Sequence, residues 1–248
     1  MYQFESRVRY SEADERELLS IIGIINYFQD CSTFQSEDLG LGLSYLHEHR
    51  IAWLLNFWQI EIRRFPKVGE YIRIGTSPYD FKGFMGFRNF LLETTEGEEL
   101  AIANSVWSLM NMDSMRPERV PEVMAERYVR NPRMEMEYAP RKIALPEGED
   151  TEITAAAPIL IGEHHLDSNH HVNNSQYVQL ALDSSGTFTD DRKRPLKTLL
   201  TEYRKQAHLG DMLYPVIFRQ KDADTIVLCE EEDHPEKAAA VVKAIYHD

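Results

Sequence analysis

Glu61-Ile62-Arg63-Arg64-Phe65-Pro66-Lys67-Val68-Gly69-Glu70 returns 141 positions later as Glu202-Tyr203-Arg204-Lys205-Gln206-Ala207-His208-Leu209-Gly210-Asp211. The acid, the two bases, the apolar residue, the glycine and the closing acid keep their order. A second echo lies upstream, where Asp14, Leu18 and Asp30 fall 153 positions before Asp167, His171 and Asp183. Two echoes in one order point to a duplicated unit. The flanking signals agree. In the first half an extended start at Gln3–Tyr10 precedes a helical region of about twenty residues. There Leu18, Leu19, Ile21, Ile22, Ile24, Ile25, Tyr27 and Phe28 leave almost no polar face, which predicts a helix buried nearly all round. Strand-like runs follow at Ala52–Arg64, Tyr71–Ser77, Phe84–Thr94 and Leu100–Met112, with Glu96-Gly97 as a turn. The second half runs from Ile159–Gly162 through a polar loop and helix to strands near Leu196–Lys205, Met212–Gln220, Thr225–Glu230 and Ala238–Tyr246. A helix followed by consecutive antiparallel strands predicts the α+β class, each half a sheet wrapped around its helix.

Between the halves, Pro117, Pro121, Pro132, Pro140, Pro146 and Pro158 interrupt both helix and ladder. The expected organisation is a domain over 1–130, a linker over 131–157 and a second domain over 158–248. One short helix is expected in the proline-rich stretch, with Pro121 in its first turn and Val123–Val129 following.

Composition narrows the function. A chain of 248 residues with 43% hydrophobic content can bury a sizeable core. A formal charge of −14 argues against nucleic acid, whose phosphates need a basic face. Cys31 and Cys229 form no metal or disulfide pattern, so a reducing cytoplasm is expected. The start shows no basic-then-apolar leader, and no run nears about 18 apolar residues, so neither secretion nor a membrane span is expected.

Chemistry concentrates in Asp167-Ser168-Asn169-His170-His171-Val172-Asn173-Asn174. A carboxylate, two imidazoles and three carboxamides make poor core but a good entry to a helix continuing through Ser175–Ala181. A helix start offers free N–H groups to an oxygen gaining negative charge. His164 and His165 add to the histidines, yet no His-x-x-x-His pair and no cysteine joins them, so no metal is expected.

These residues resemble the acyl-ACP thioesterase family of plants and bacteria over essentially the whole chain. The most specific parts are Asp167, Asn169, His171, Val172, Asn173 and Asn174, together with Glu202 to Lys205. The resemblance implies two tandem hotdog domains, each a curled antiparallel sheet around a long helix, and hydrolysis of fatty acyl-acyl carrier protein without a cofactor. It carries catalytic roles onto Asp167, Asn169, His171 and Glu202. Glu202 is expected as general base or nucleophile, Asp167 as orienting group, Asn169 as oxyanion donor and His171 as carbonyl ligand or proton carrier. Ala207 stands where plant members commonly have cysteine, which excludes a cysteine nucleophile at that position.

Glu15, Arg16, Glu17 and Leu18 replace Ser168, Asn169, His170 and His171 in the first half, so one active site per chain is expected. Trp53, Leu55, Phe57 and Trp58 of that half are candidates to line the acyl chain, and Asn173 and Asn174 to cap the helix or contact substrate. Arg192, Lys193, Arg194, Lys197, Arg204 and Lys205 are candidates to dock the acidic acyl carrier protein. A monomer with an internal pseudo-dimer or a homodimer both fit. An acyl-CoA thioesterase, a hotdog 3-hydroxyacyl dehydratase and a silent acyl-binding regulator stay open at this point.

Overall fold

A computed structural model of the chain describes residues 1–186, 195–232 and 234–247. It divides into two compact units, Met1–Ala139 and Pro140–Asp248.

Unit 1 begins with strand β1 (Tyr2–Arg7) and a short 3-10 turn at Tyr10–Glu12, followed by helix α1 (Ile21–Asp38). Ser20 caps α1 by accepting a hydrogen bond from Gly23 N at 3.0 Å. Helix α2 (Leu43–Glu48) leads into strands β2 (Ile51–Ile62), β3 (Tyr71–Lys82), β4 (Met85–Thr94) and β5 (Glu99–Asn111). A two-residue strand β6 (Arg116–Pro117) and helix α3 (Glu122–Arg127) complete the named elements. The strands are antiparallel in the order β1-β3-β4-β5-β2, with β6 beside β5. Unit 2 contains β7 (Glu152–Ala155), β8 (Ile159–Leu160), a 3-10 turn at Glu163–His165 and α4 (Asn174–Ser185). Its remaining strands are β9 (Leu196–Tyr203), β10 (Met212–Arg219), β11 (Ala223–Cys229) and β12 (Ala238–Tyr246). The order β9-β12-β11-β10, with β7 and β8 both on β10, repeats the order of unit 1.

The α+β class and the succession of elements follow the sequence, but the curled sheet does not. In each unit the strand order is open, with β1 and β2 at opposite ends of one and β7 and β9 at opposite ends of the other, so neither sheet closes on itself. The physical reason is visible in unit 1, where each face has its own cover. Helix α1 lies across one face, with Phe28 packed on Trp58 and Phe90 at ring distances of 6.0 and 5.1 Å. The other face buries the amides of Gln59, Asn89 and Asn104. Chain segment 134–139 covers them: Met134 N donates to Asn89 Oδ1 at 3.1 Å, and Ala139 N donates to Gln59 Oε1 at 2.8 Å. A sheet covered by a helix on one side and by chain on the other has no need to wrap.

Helix α1 is also less enclosed than its composition predicts. Ile21, Ile24, Ile25, Tyr27 and Phe28 are buried, but Asn26 is exposed and Phe34 is 44% exposed. Leu18 and Leu19 precede the helix rather than belong to it.

Candidate active site

The two echoes turn out to be the parts of one backbone device, built twice. In unit 2, Asp167 N donates to His171 O at 2.8 Å and His170 N to Asp167 O at 3.1 Å. The Asp167 carboxylate closes the turn from inside, its Oδ1 accepting from Asn169 N at 2.8 Å and His171 N at 3.4 Å. His170 takes the left-handed conformation, φ +62°. In unit 1, Asp14 N donates to Leu18 O at 2.8 Å, and Asp14 Oδ1 accepts from Arg16 N at 2.9 Å and Leu18 N at 3.2 Å. Glu17, with φ +60°, stands in for His170. Even the exposure runs alike, half-buried at Asp14 and Leu18 as at Asp167 and His171, and open between.

The second echo is the landing site of this turn. Leu19 N donates to Pro66 O at 2.8 Å, and Val172 N donates to Ala207 O at 3.0 Å. Both landing segments then pass a glycine with positive φ, +83° at Gly69 and +87° at Gly210, where a side chain would be strained. Beside them Glu70 accepts from Lys67 N, and Asp211 from His208 N, at 2.9 and 2.8 Å.

Where the backbones coincide, the substituted side chains separate scaffold from chemistry. Asp167 makes the bonds that Asp14 makes, so its carboxylate is a turn former whatever else it does. It does not cap α4; Asn173 does, accepting from Ser175 N at 2.9 Å. Gln176 N donates to Asn173 O, so two of the first N–H groups of α4 are satisfied internally. Asn174 gives its carbonyl to the Tyr203 hydroxyl at 2.9 Å. Asn169 and His171 have no counterpart in unit 1. Asn169 is exposed at the crest of the turn, and His171 is half-buried. Burial first, and then the charge of His208, holds the His171 imidazole below its usual titration range despite the opposing pull of Asp167.

Glu202 stands apart from this group. Tyr203 reaches α4, so by strand alternation Glu202 points to the opposite face of β9. Its Oε2 accepts from Ile143 N at 3.0 Å and from Arg204 Nη2 at 2.9 Å. Among the described residues no hydrogen bond or ion pair joins it to Asp167, Asn169 or His171. In unit 1 the Glu61–Arg63 pair, 3.5 Å, repeats the arrangement.

Other expected site residues scatter. The register shift between Leu55 and Phe57 inserts an extra residue into β2. Trp53, Leu55 and Trp58 therefore share the α1 face while Phe57 lies on the other. Of the docking candidates, Arg204 is paired with Glu202, and Lys205 with Glu230 at 2.7 Å. Lys197 is exposed; Arg192, Lys193 and Arg194 lie outside the described residues.

Sequence reading missed His208 and Gln206. The His208 ring lies 4.9 Å from that of His171, and its Nδ1 is 3.6 Å from Asp211 Oδ2. Gln206 lies on a segment tied down on both sides by Tyr177, whose hydroxyl donates to Lys205 O and accepts from Ala207 N. The signal was present in the echo itself, where Phe65 and Lys67 become Gln206 and His208. Among the described residues, no group of three or more His, Cys, Asp or Glu side chains is placed to hold a metal ion. No helix there is long and apolar enough to cross a membrane.

Residues 1–128 match the model of the acyl-ACP thioesterase N-terminal domain, and residues 158–245 match that of the C-terminal domain. A chloroplastic acyl-carrier-protein hydrolase of Cuphea viscosissima is 27% identical over 222 residues, covering 84% of this chain and 52% of its own. Oleoyl-acyl carrier protein thioesterase 1 of Arabidopsis thaliana is 24% identical, covering 86% of this chain and 62% of its own. The chain thus spans roughly half to three-fifths of the length of these curated relatives. The crystal structure of an acyl-ACP thioesterase from Bacteroides thetaiotaomicron superposes with a TM-score of 0.85 at 18% identity, over 99% of this chain and 97% of that one. With both domain models matched in order along it, the chain belongs to the acyl-ACP thioesterase family, with the two hotdog domains in tandem.

Proposed function

We propose that the chain hydrolyses the thioester linking a fatty acyl chain to acyl carrier protein, releasing the free fatty acid. One observation carries the reading: Asn169 and His171 sit on a turn whose backbone is reproduced in unit 1, where the same positions hold Arg16 and Leu18. A depressed imidazole is neutral near pH 7, and a neutral imidazole can take a proton from water as that water attacks the carbonyl carbon. The carbonyl oxygen then gains charge, which the exposed Asn169 amide is placed to receive while Asn173 occupies the end of α4. The carbon–sulfur bond breaks, and the proton on His171 returns to the departing thiolate of the carrier's arm. Asp167 holds both groups in register through the backbone.

Glu202 enters as a second carboxylate. It is the alternative to His171 as base, or else the nucleophile; with Oε2 engaged by Ile143 and Arg204, that role falls to Oε1. Unit 1, with Trp53, Leu55 and Trp58 on the α1 face, is the acyl-binding half. Lys197 contributes to carrier docking together with Arg192, Lys193, Arg194, Arg204 and Lys205. Two buried cysteines, Cys31 and Cys229, fit a reducing compartment, and we place the protein in the cytoplasm.

Thiol release from purified acyl-carrier protein substrates tests the reading. His171→Ala and Asn169→Ala are each expected to cut turnover by at least about 100-fold. Near-normal rates in both would refute it. Glu202→Gln is expected to cost about as much; near-normal rates there remove Glu202 from the reaction and leave His171 as the base.

A further inference from the structure

Unit 1 encloses a cation that no acid balances. Arg88, on β4, is 8% exposed. Its Nη1 donates to Gln35 Oε1 at 2.5 Å and to Thr76 Oγ1 at 3.1 Å, and its guanidinium carbon lies 5.4 Å from the centre of the Tyr128 ring. All three partners are neutral, and among the described residues no carboxylate forms an ion pair with it. Burying an unpaired ion is strongly unfavourable, so such a group ordinarily marks a missing counter-charge. Burial pulls its pKa down, as expected of a cation without one. Unit 2 supplies the contrast. In unit 1 Arg88 pairs in register with Pro78; 141 positions on from Pro78 stands Arg219, paired in register with Asp224. There the buried charge has an opposite charge, Arg219 Nε lying 3.5 Å from Asp224 Oδ1.

A second orphan lies in the same row. Arg88 pairs in register with Ser105 on β5, and Ser105 pairs with Trp58 on β2. Directly paired residues share a face, so Arg88, Ser105 and Trp58 all point toward α1, with about 10 Å between the outer two α-carbons. Trp58 is fully buried, and its indole Nε1–H has no acceptor among the described residues. The residue between them is small. A guanidinium lacking an anion and an indole lacking an acceptor thus flank a serine. Phe28 and Phe90 pack around Trp58, which makes the surroundings apolar. What satisfies both donors in such a place is an anion with two acceptor oxygens on an apolar body.

We propose that Arg88 and Trp58 form a buried site in unit 1 for a carboxylate carried on an apolar chain. The inference rests on unit 1 being the acyl-binding half. Two sources share this chemistry: a free fatty acid entering carboxylate first, and an acyl substrate bearing a carboxylate at its far end.

The test measures binding of decanoate and of 1-decanol to the full chain above neutral pH. Decanoate is expected to bind wild type at least about tenfold more tightly, Arg88→Met to abolish that ratio, and Trp58→Phe, which keeps the aromatic ring, to reduce it. Equal affinity of wild type for the two probes overturns the site, as does either variant keeping the wild-type ratio. If Arg88→Met does not fold, the wild-type ratio and Trp58→Phe still decide. The sources separate by turnover of carrier-linked decanedioyl against decanoyl thioesters. A preference for the former that Arg88→Met loses assigns the carboxylate to the substrate; decanoate binding without that preference assigns it to the free acid. Binding is read without hydrolysis, so a protein that selects decanoate but releases no thiol refutes the reaction and leaves this site standing.

Discussion

Asp167→Ala and Asp14→Ala remove the same two bonds from the same turn in different units, and their comparison separates folding from chemistry. The lost bonds are 2.8 and 3.4 Å long at Asp167 and 2.9 and 3.2 Å at Asp14. A hydrogen bond to a charged acceptor contributes roughly 1.5–3 kcal/mol when well enclosed. Both turns are partly open to water and one bond in each is long, so about 1 kcal/mol per bond is the better figure, or about 2 kcal/mol per variant. Asp14 also pairs with Arg16, but at a surface where such pairs add little. Each variant should therefore lower the urea midpoint by roughly 1 M, given a slope of about 2 kcal/mol per M. That loss leaves both proteins folded at 25 °C if they start with ordinary stability, about 5–15 kcal/mol. Thiol release should then divide them. Asp14→Ala should keep near wild-type turnover, whereas Asp167→Ala should lose at least about 100-fold, because the backbone it holds is the one that carries Asn169 and His171, the groups proposed to react. Equal loss of turnover in the two variants, or none in Asp167→Ala, would refute the reasoning.

Two further outcomes follow from the same geometry. Burial depresses the titration of both His165 and His171, with the charges of His164 and His208 adding to it, and His165 Nδ1 accepts from Gly162 N at 3.0 Å. On acidification the unfolded chain takes up these protons first, near pH 6.5, so stability is full above that pH and falls as pH drops toward the folded values. Urea midpoints measured between about pH 7 and about pH 5 should show this decline, with a shallower slope in His165→Gln. Gly210→Ala should cost about 1–2 kcal/mol by the same urea measurement. Apart from its chain neighbours, no atom of the described residues lies within 4 Å of the added methyl, so the whole cost is backbone strain at φ +87°.

Much of this was legible in the sequence because duplication wrote it twice. Alternation and the apolar helix gave the order of elements, and the echoes gave the turn and its landing site. What the echoes could not reveal was the part that depends on one extra residue or one face. A bulge near Asn56 puts Phe57 on the face opposite Trp53 and Leu55 and brings Trp58 onto theirs, and no composition rule predicts where an extra residue will be inserted. Glu202 entered the candidate site through the resemblance, which does not carry the orientation of its side chain; alternation from Tyr203 sets it on the face of β9 opposite α4. The curled sheet was expected from a helix followed by antiparallel strands and from the resemblance; segment 134–139, read as linker beyond residue 130, covers the second face instead. Helix α2 escaped because six residues hold too few turns to show a period. Asn169 and His171 stood out as candidates for the opposite reason, since amide and imidazole make poor core and contrast with Arg16 and Leu18.

The turn at Asp14 is, in these terms, a mount without an instrument. It has the same hydrogen bonds, the same positive-φ residue and the same exposure profile as the turn at Asp167, and it lands on Pro66 as the other lands on Ala207. Asparagine and histidine introduced at positions 16 and 18 would meet a backbone already shaped to hold them. The chain is thus both donor and recipient for a transplant of its own proposed reacting groups, and the remaining differences, Phe65 for Gln206 and Lys67 for His208, define how much more than the turn such a graft would have to carry.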